Sequence, residues 1–183
     1  MTDDTIDGTA GNLASLLYRN ASFAATDAKD KVPAIPFIPH RGLFVITCVD
    51  PRVDPANILG LELGDAIVLR DVGGRVTPAV LADVAYISYL VETKAPQGPW
   101  FEIAVIHHTD CGSGLLADEE LRQDFARRSG LEVATLAELP VLDPQLTVAI
   151  DVQRLRDHPH LSGKVHVSGH VYDVKTGHIS TVA

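Results

Sequence analysis

Two short stretches carry residue types that could hold a metal ion. One is Cys48-Val49-Asp50-Pro51-Arg52, and the other is His107-His108-Thr109-Asp110-Cys111-Gly112; together they contain both cysteines of the chain. His108 and Cys111, three residues apart around a tight turn, can converge on one ion, and Cys48 can close on it from an adjacent strand. Two cysteines and one histidine form a known zinc set, in which three protein ligands leave a fourth position for water or substrate. Two other readings of the cysteines stay open. They could be buried and inert, or form a redox pair, although no Cys-x-x-Cys spacing is present. A phosphatase loop needs a longer spacing than the three residues between Cys48 and Arg52.

Asp50 and Arg52 add to the zinc reading. Asp50 lies two residues beyond Cys48 and could reach the open position or the water in it. Arg52 can hold that carboxylate in a bidentate pair and keep it ionised; the alternative is a surface ion pair of little energetic weight. Two thiolates and a neutral imidazole cancel the charge of Zn²⁺. Such a centre should therefore acidify water less than an all-histidine site, where the water pKa is ~7. An aspartate accepting the water's hydrogen bond would orient it for attack. If Asp50 bound zinc itself, no position would remain for the nucleophile, so ligand and orienter are opposing states of one residue.

Elements that could position these residues are legible in the pattern of apolar runs. Leu43–Val49, Ala66–Leu69 and Glu102–Ile106 are short β-branched runs that read as buried parallel strands, and Val165–Val174 and Ile179–Val182 read as further strands. Helical stretches alternate with them. Asp54-Pro55, Thr77-Pro78 and Asp143-Pro144 each put a capping side chain before a proline suited to the first helical position. Residues 78–92 are apolar nearly all round, as in a helix packed under other elements, and Val148, Ala149, Val152 and Leu155 give a later helix one apolar face. A short amphipathic helix is expected around 10–25, after a polar frayed end at 1–10, and Pro33, Pro36 and Pro39 suggest an extended connector. This alternation argues for an α/β fold with a mostly parallel sheet, in which ligands sit outside the carboxyl ends of strands. Both cysteines lie there.

Composition narrows the function class. The 183 residues suggest one domain, 1–183. The net charge of −9 argues against binding to nucleic acid or anionic membrane surfaces. No apolar run approaches the ~18–20 residues of a membrane span. The acidic start Met1-Thr2-Asp3-Asp4 does not read as a signal peptide. Two cysteines are too few for a disulfide framework, which leaves a cytoplasmic enzyme or small-molecule binder.

At the two metal-binding stretches the chain closely resembles the β-class carbonic anhydrases. That family's Cys-x-Asp-x-Arg and downstream His-x-x-Cys are matched by Cys48-x-Asp50-x-Arg52 and His108-x-x-Cys111. Gly64-Asp65-Ala66 leading to Arg70-Asp71-Val72-Gly73-Gly74-Arg75 resembles its second strand and glycine loop, and Gly169–Gly177 its closing strand. The resemblance implies one Zn²⁺ per chain held by Cys48, His108 and Cys111, with Asp50 and Arg52 as the catalytic and gating dyad. It implies reversible hydration of CO₂ to bicarbonate and a proton, Gly73 and Gly74 beside the substrate pocket, and a homodimer or larger assembly. The helix around 10–25 is the candidate for crossing onto a partner subunit. Some relatives with this site hydrolyse carbonyl sulfide (COS) or carbon disulfide (CS₂), so these remain alternative substrates. A non-catalytic zinc-binding oligomer is a third reading. The chain departs from the family at Asp71-Val72, where many members have Asn-Ala, and at Gly112-Ser113-Gly114.

The remaining histidines read more simply. His107 should point to the opposite side of its strand from His108, with hydrogen bonding behind the ligands as its best role. His166 and His170, four apart, could share a polar strand face or hold a second metal; His158 and His160 flank Pro159 in a loop. Gly73-Gly74 is no dinucleotide fingerprint, because no Gly-x-Gly-x-x-Gly is present, and a tight turn accounts for it.

Overall fold

The first apolar run forms strand β1 (Leu43–Cys48), buried from Phe44 onward as a strand between two neighbours must be. The computed structural model describes residues 13–98 and 101–183. It divides into two compact units, one running to Phe37 and the other spanning Ile38–Ala183. The first unit contains helices α1 (Ala14–Ala24) and α2 (Ala28–Lys31), then a 3₁₀ turn at Val32–Ala34. The helix expected around 10–25 is thus present over its described part, and the frayed end expected at 1–10 lies outside the described residues. The proline connector starts later than its composition suggests, because a proline in a first helical turn forfeits no hydrogen bond.

In the second unit β1 is followed by α3 (Pro55–Ile58), β2 (Ala66–Asp71), α4 (Pro78–Lys94), β3 (Glu102–His108), α5 (Glu119–Ser129), α6 (Val133–Ala137), α7 (Pro144–Arg156), β4 (His166–Tyr172) and β5 (Ile179–Thr181). The sheet order is β2-β1-β3-β4-β5. All pairings are parallel except the antiparallel return of β5 onto β4. The three capping residues act as their sequence context suggests: Asp54, Thr77 and Asp143 each accept from backbone N–H groups of α3, α4 and α7.

One face of the sheet, with Phe44, Ile46, Ile103, Val105, Val167 and Val171, forms a core with Val80, Val84 and Val91 of α4 and Val148, Val152 and Leu155 of α7. Helix α4 differs from expectation in burying a single stripe, while Tyr86 and Tyr89 on its other side are exposed. Helix α6 was not evident in the sequence; it is one short turn whose Leu136 is fully buried. Among the described residues no helix is long and apolar enough to cross a membrane.

The α7 contribution to this core is testable. Leu155 has no exposed surface, so Leu155→Ala should destabilise the protein by about 2–5 kcal/mol, the usual cost of such a cavity. Urea unfolding should show a lower midpoint at unchanged slope.

Candidate metal centre

Parallel pairing of β1 with β3 aligns Thr47 with Ile106, which brings the carboxyl ends of the two strands side by side. Cys48 and His108 are the last residues of their strands and both are buried; Cys111 follows in the loop. One donor atom from each of the three lies within 4.8 Å of the others. The sulfurs of Cys48 and Cys111 are 3.9 Å apart. Two thiolates on a tetrahedral zinc, at Zn–S of about 2.3 Å, would be separated by about 3.8 Å. The histidine is oriented by its neighbour: Nδ1 of His108 is 2.9 Å from the Thr109 carbonyl, so it carries the proton and donates. That leaves Nε2 as an acceptor, and this atom is buried without a hydrogen-bond partner. A lone pair so placed costs free energy unless something binds it. Donor chemistry, separation and the orphaned nitrogen all fit zinc.

The thiols interact electrostatically as a pair. Their mutual hydrogen bond, with burial, raises Cys48 to about 12. The same bond lowers Cys111 to about 6, helped by the Ser113 hydroxyl. Ser113 accepts from the Val141 N–H at 3.2 Å, which leaves its proton for the Cys111 sulfur, also 3.2 Å away. Burial disfavours charge on His108, but the adjacent Cys48 sulfur outweighs it and raises the imidazole.

Around the donors, charged side chains bind the two loops together. Asp50 accepts from the Arg52 backbone N–H at 2.9 Å, closing the turn at Pro51–Val53. Its carboxylate also takes Arg52 Nε at 3.0 Å and Nη2 at 2.8 Å, a bidentate pair. Arg52 reaches across to the other loop, donating to the Asp110 carboxylate at 2.8 Å and to its carbonyl at 2.9 Å. Asp110 is the one described non-glycine residue with positive φ, at 56°. Arg70 holds the first loop from behind, through the carbonyls of Cys48 at 3.0 Å and Asp50 at 2.7 Å. The Arg52 hydrogen bond lowers Asp50 to about 2 against a small burial penalty, and Asp50 in turn raises the guanidinium. Asp71 is half-buried with Oδ1 unpartnered, and burial pushes it up to about 7.

Gly73 and Gly74 have positive φ of 84° and 67° and form the turn expected of them. Gly74 lies against the end of β1. A Cβ there would stand 2.8 Å from the Thr47 carbonyl carbon and 2.9 Å from the Cys48 nitrogen, closer than atoms pack.

Comparison with known proteins agrees with this geometry. A family model described as carbonic anhydrase matches residues 43–128. The carbonic anhydrase of Streptococcus mutans is 31% identical, covering 91% of this chain and 98% of its own, and superposes with a TM-score of 0.69. This chain belongs to the β-carbonic anhydrase family. Beta-carbonic anhydrase 1 of Mycobacterium tuberculosis is 28% identical over 81% of this chain and 86% of its own. A carbon disulfide hydrolase from an Acidianus strain is also 28% identical, over 75% of each chain.

Within the β-carbonic anhydrase frame, all five residues singled out at the two motifs meet at one place. His107 points away from His108, to the face carrying α7. His170 contacts Ser168 and Thr181, and His166 lies 3.7 Å from Glu102. Among the described residues neither belongs to a group that could hold a metal. Sequence reasoning missed Asp110 and Arg70. Asp110 lies inside His-x-x-Cys, where a residue of that type in a tight turn is a signal for left-handed backbone; Arg70 was visible only as part of the resemblance.

The Asp50–Arg52 pair sets a pH dependence in the metal-free protein. A lowered folded pKa contributes stability that is complete above the unfolded value of ~4 and is lost as pH falls toward about 2. Carboxyl NMR should find Asp50 titrating near 2, and Arg52→Gln should return it toward ~4. An unmoved titration in the variant would contradict the pairing.

Proposed function

We propose that this protein catalyses the reversible hydration of CO₂ to bicarbonate and a proton at a zinc ion held by Cys48, His108 and Cys111. The observation that carries the reading is the buried, unpartnered His108 Nε2 facing two cysteine sulfurs, beside a carboxylate that Arg52 keeps ionised. When bound, zinc would supply a Lewis acid with one open position, lowering the pKa of water there so that it can act as a nucleophile. The chain's own residues do the rest. Asp50 accepts a hydrogen bond from the reacting water and turns its lone pair toward the carbon of CO₂. Arg52 orients that carboxylate and, through Asp110, links the two loops. Gly73 and Gly74, expected beside the substrate, let their turn pack directly on the Thr47–Cys48 peptide that carries one of the ligands. Proton release goes to solvent buffer.

Carbon disulfide hydrolases are as similar in identity as the mycobacterial β-carbonic anhydrase, which supports COS or CS₂ as the alternative substrate on the same residues. We also infer a homodimer or larger assembly with α1 on the partner. Helix α1 has no buried residue, and Leu16, Leu17, Tyr18 and Phe23 are exposed on it. A cytoplasmic location suits two unlinked thiols 3.9 Å apart, which an oxidising compartment would tend to join.

Initial rates of the zinc-loaded protein with CO₂, COS and CS₂, measured in parallel, test the substrate; negligible CO₂ hydration would sink the first choice. Asp50→Ala should keep its zinc and lose activity at least ~10–100-fold, whereas a site serving structure alone would be inactive in both forms. Cys48→Ser should lose the metal, and full zinc occupancy in that variant would contradict the ligand set.

A further inference from the structure

Behind the proposed ligands, on the α7 side of the sheet, lies a buried ionic group that the reaction itself does not use. Asp151 occupies the apolar stripe of α7 beside Val148, Val152 and Leu155, and its side chain has no exposed surface. Its carboxylate accepts from Arg75 Nε at 2.6 Å and Nη2 at 3.2 Å, and from the Val76 N–H at 3.1 Å. Arg154 approaches it at 3.3 Å, and His107 Nε2 lies 3.3 Å away. Arg75 is itself buried and also donates to the Glu138 carbonyl. Burial works against ionisation of Asp151, but the hydrogen bonds from His107 and Arg75 outweigh it and hold the carboxyl below its ordinary range.

Stability alone is a poor reason to keep such a group, since well-packed apolar residues are often as good or better. Its contacts suggest another reason. His107 Nε2 faces two acceptors, the Gly74 carbonyl at 3.1 Å and the Asp151 carboxylate, so it carries the proton. Nδ1 lies 2.8 Å from the Thr147 hydroxyl, which is also 3.0 Å from the Asp143 carbonyl, and this contact holds the ring between α7 and the glycine turn. His107 is bonded through its backbone to His108. Gly74 bears on the Cys48 nitrogen, and a Cβ on Gly73 would lie 3.0 Å from the Ser113 hydroxyl that bonds Cys111. Two of the three donors, His108 and Cys48, therefore rest on segments tied to this one carboxylate.

We propose that Asp151 is a positioning residue for the metal centre, acting through His107 on His108 and through Arg75 and Gly74 on Cys48. This rests on the zinc reading of Cys48, His108 and Cys111. Groups one layer behind metal ligands typically change affinity ~10–100-fold when removed, and that is the size of effect expected here.

The test uses the full chain and two variants. Asp151→Asn keeps the shape and removes the charge. Thr147→Val removes the contact to His107, together with the hydroxyl's bond to the Asp143 carbonyl at the start of α7, and leaves the Arg75 pair intact, so it serves if Asp151→Asn fails to fold. Zinc affinity is measured by chelator competition at a temperature where circular dichroism shows each variant folded, and the cobalt-substituted absorption spectrum reports ligand geometry. Asp151→Asn should bind zinc ~10–100-fold more weakly and show altered cobalt bands. Thr147→Val should shift both in the same direction by less, and Thr147→Ser should restore them. A folded Asp151→Asn with lowered thermal stability but unchanged affinity and spectrum would overturn the proposal, as would an unchanged Thr147→Val if the first variant does not fold. Absence of zinc binding by the unaltered protein would instead remove the zinc reading, and this inference with it.

Discussion

Parallel pairing of β1 with β3 is the constraint from which the rest of the site follows. Cys48 and Cys111 are 63 residues apart in sequence, and neighbouring strands lie only about 4.8 Å apart. A parallel register therefore places the ends of both runs at one edge of the sheet without any loop having to bridge them. An antiparallel register would send the two cysteines to opposite edges. The chain secures the parallel arrangement with near-continuous burial of Phe44–Cys48 and Ile103–His108, as strands covered on both faces require. The glycine turn depends on the same register. Gly74 can lie on the Thr47–Cys48 peptide only because β2 pairs with β1 on its other side.

Placing charges near this packed sheet is costly, and the structure handles exposed and buried ones differently. Arg52 is about half exposed, so its pairs with Asp50 and Asp110 add little stability in water. Their consequence is geometric: a planar guanidinium holds one carboxylate from each loop in fixed directions. Arg75 and Asp151 are out of water, where an unpaired charge would be severely destabilising. Every oxygen of Asp151 is accordingly engaged. The front of the site is thus linked by contacts that can rearrange, and the back by contacts that cannot do so cheaply.

What the sequence made legible follows from range. Strands, capped helices and donor residues are encoded locally: β-branched runs, a capping side chain before proline, and a Cys or His at a strand's end. Helix α6 escaped notice because five residues carry too little periodicity, and its Leu136 is buried by packing alone. The exposed stripe of α4 escaped for the opposite reason, an apolar surface that composition cannot distinguish from core. Asp151 did leave a trace, a charge on the buried stripe of α7, which signals a paired ion. Its partners, Arg75 and His107, lie 76 and 44 positions away, and only the fold could name them. Asp110 and Arg70 act the same way, through contacts that no local pattern predicts.

The position of Asp110 decides what Arg52 would keep if Asp50 turned away from it. Turning Asp50 toward the ion would break its bidentate pair with Arg52 and, were Asp50 the only partner, would leave a guanidinium bare. Arg52 also donates to the carboxylate and carbonyl of Asp110, so it would keep two charge-assisted or polar bonds while its other edge, about half exposed, is taken by water. For Arg52, releasing Asp50 then exchanges one carboxylate partner for solvent at a half-exposed guanidinium, a smaller loss than baring a buried ion. The left-handed backbone at Asp110 is what places the second carboxylate within reach of Arg52.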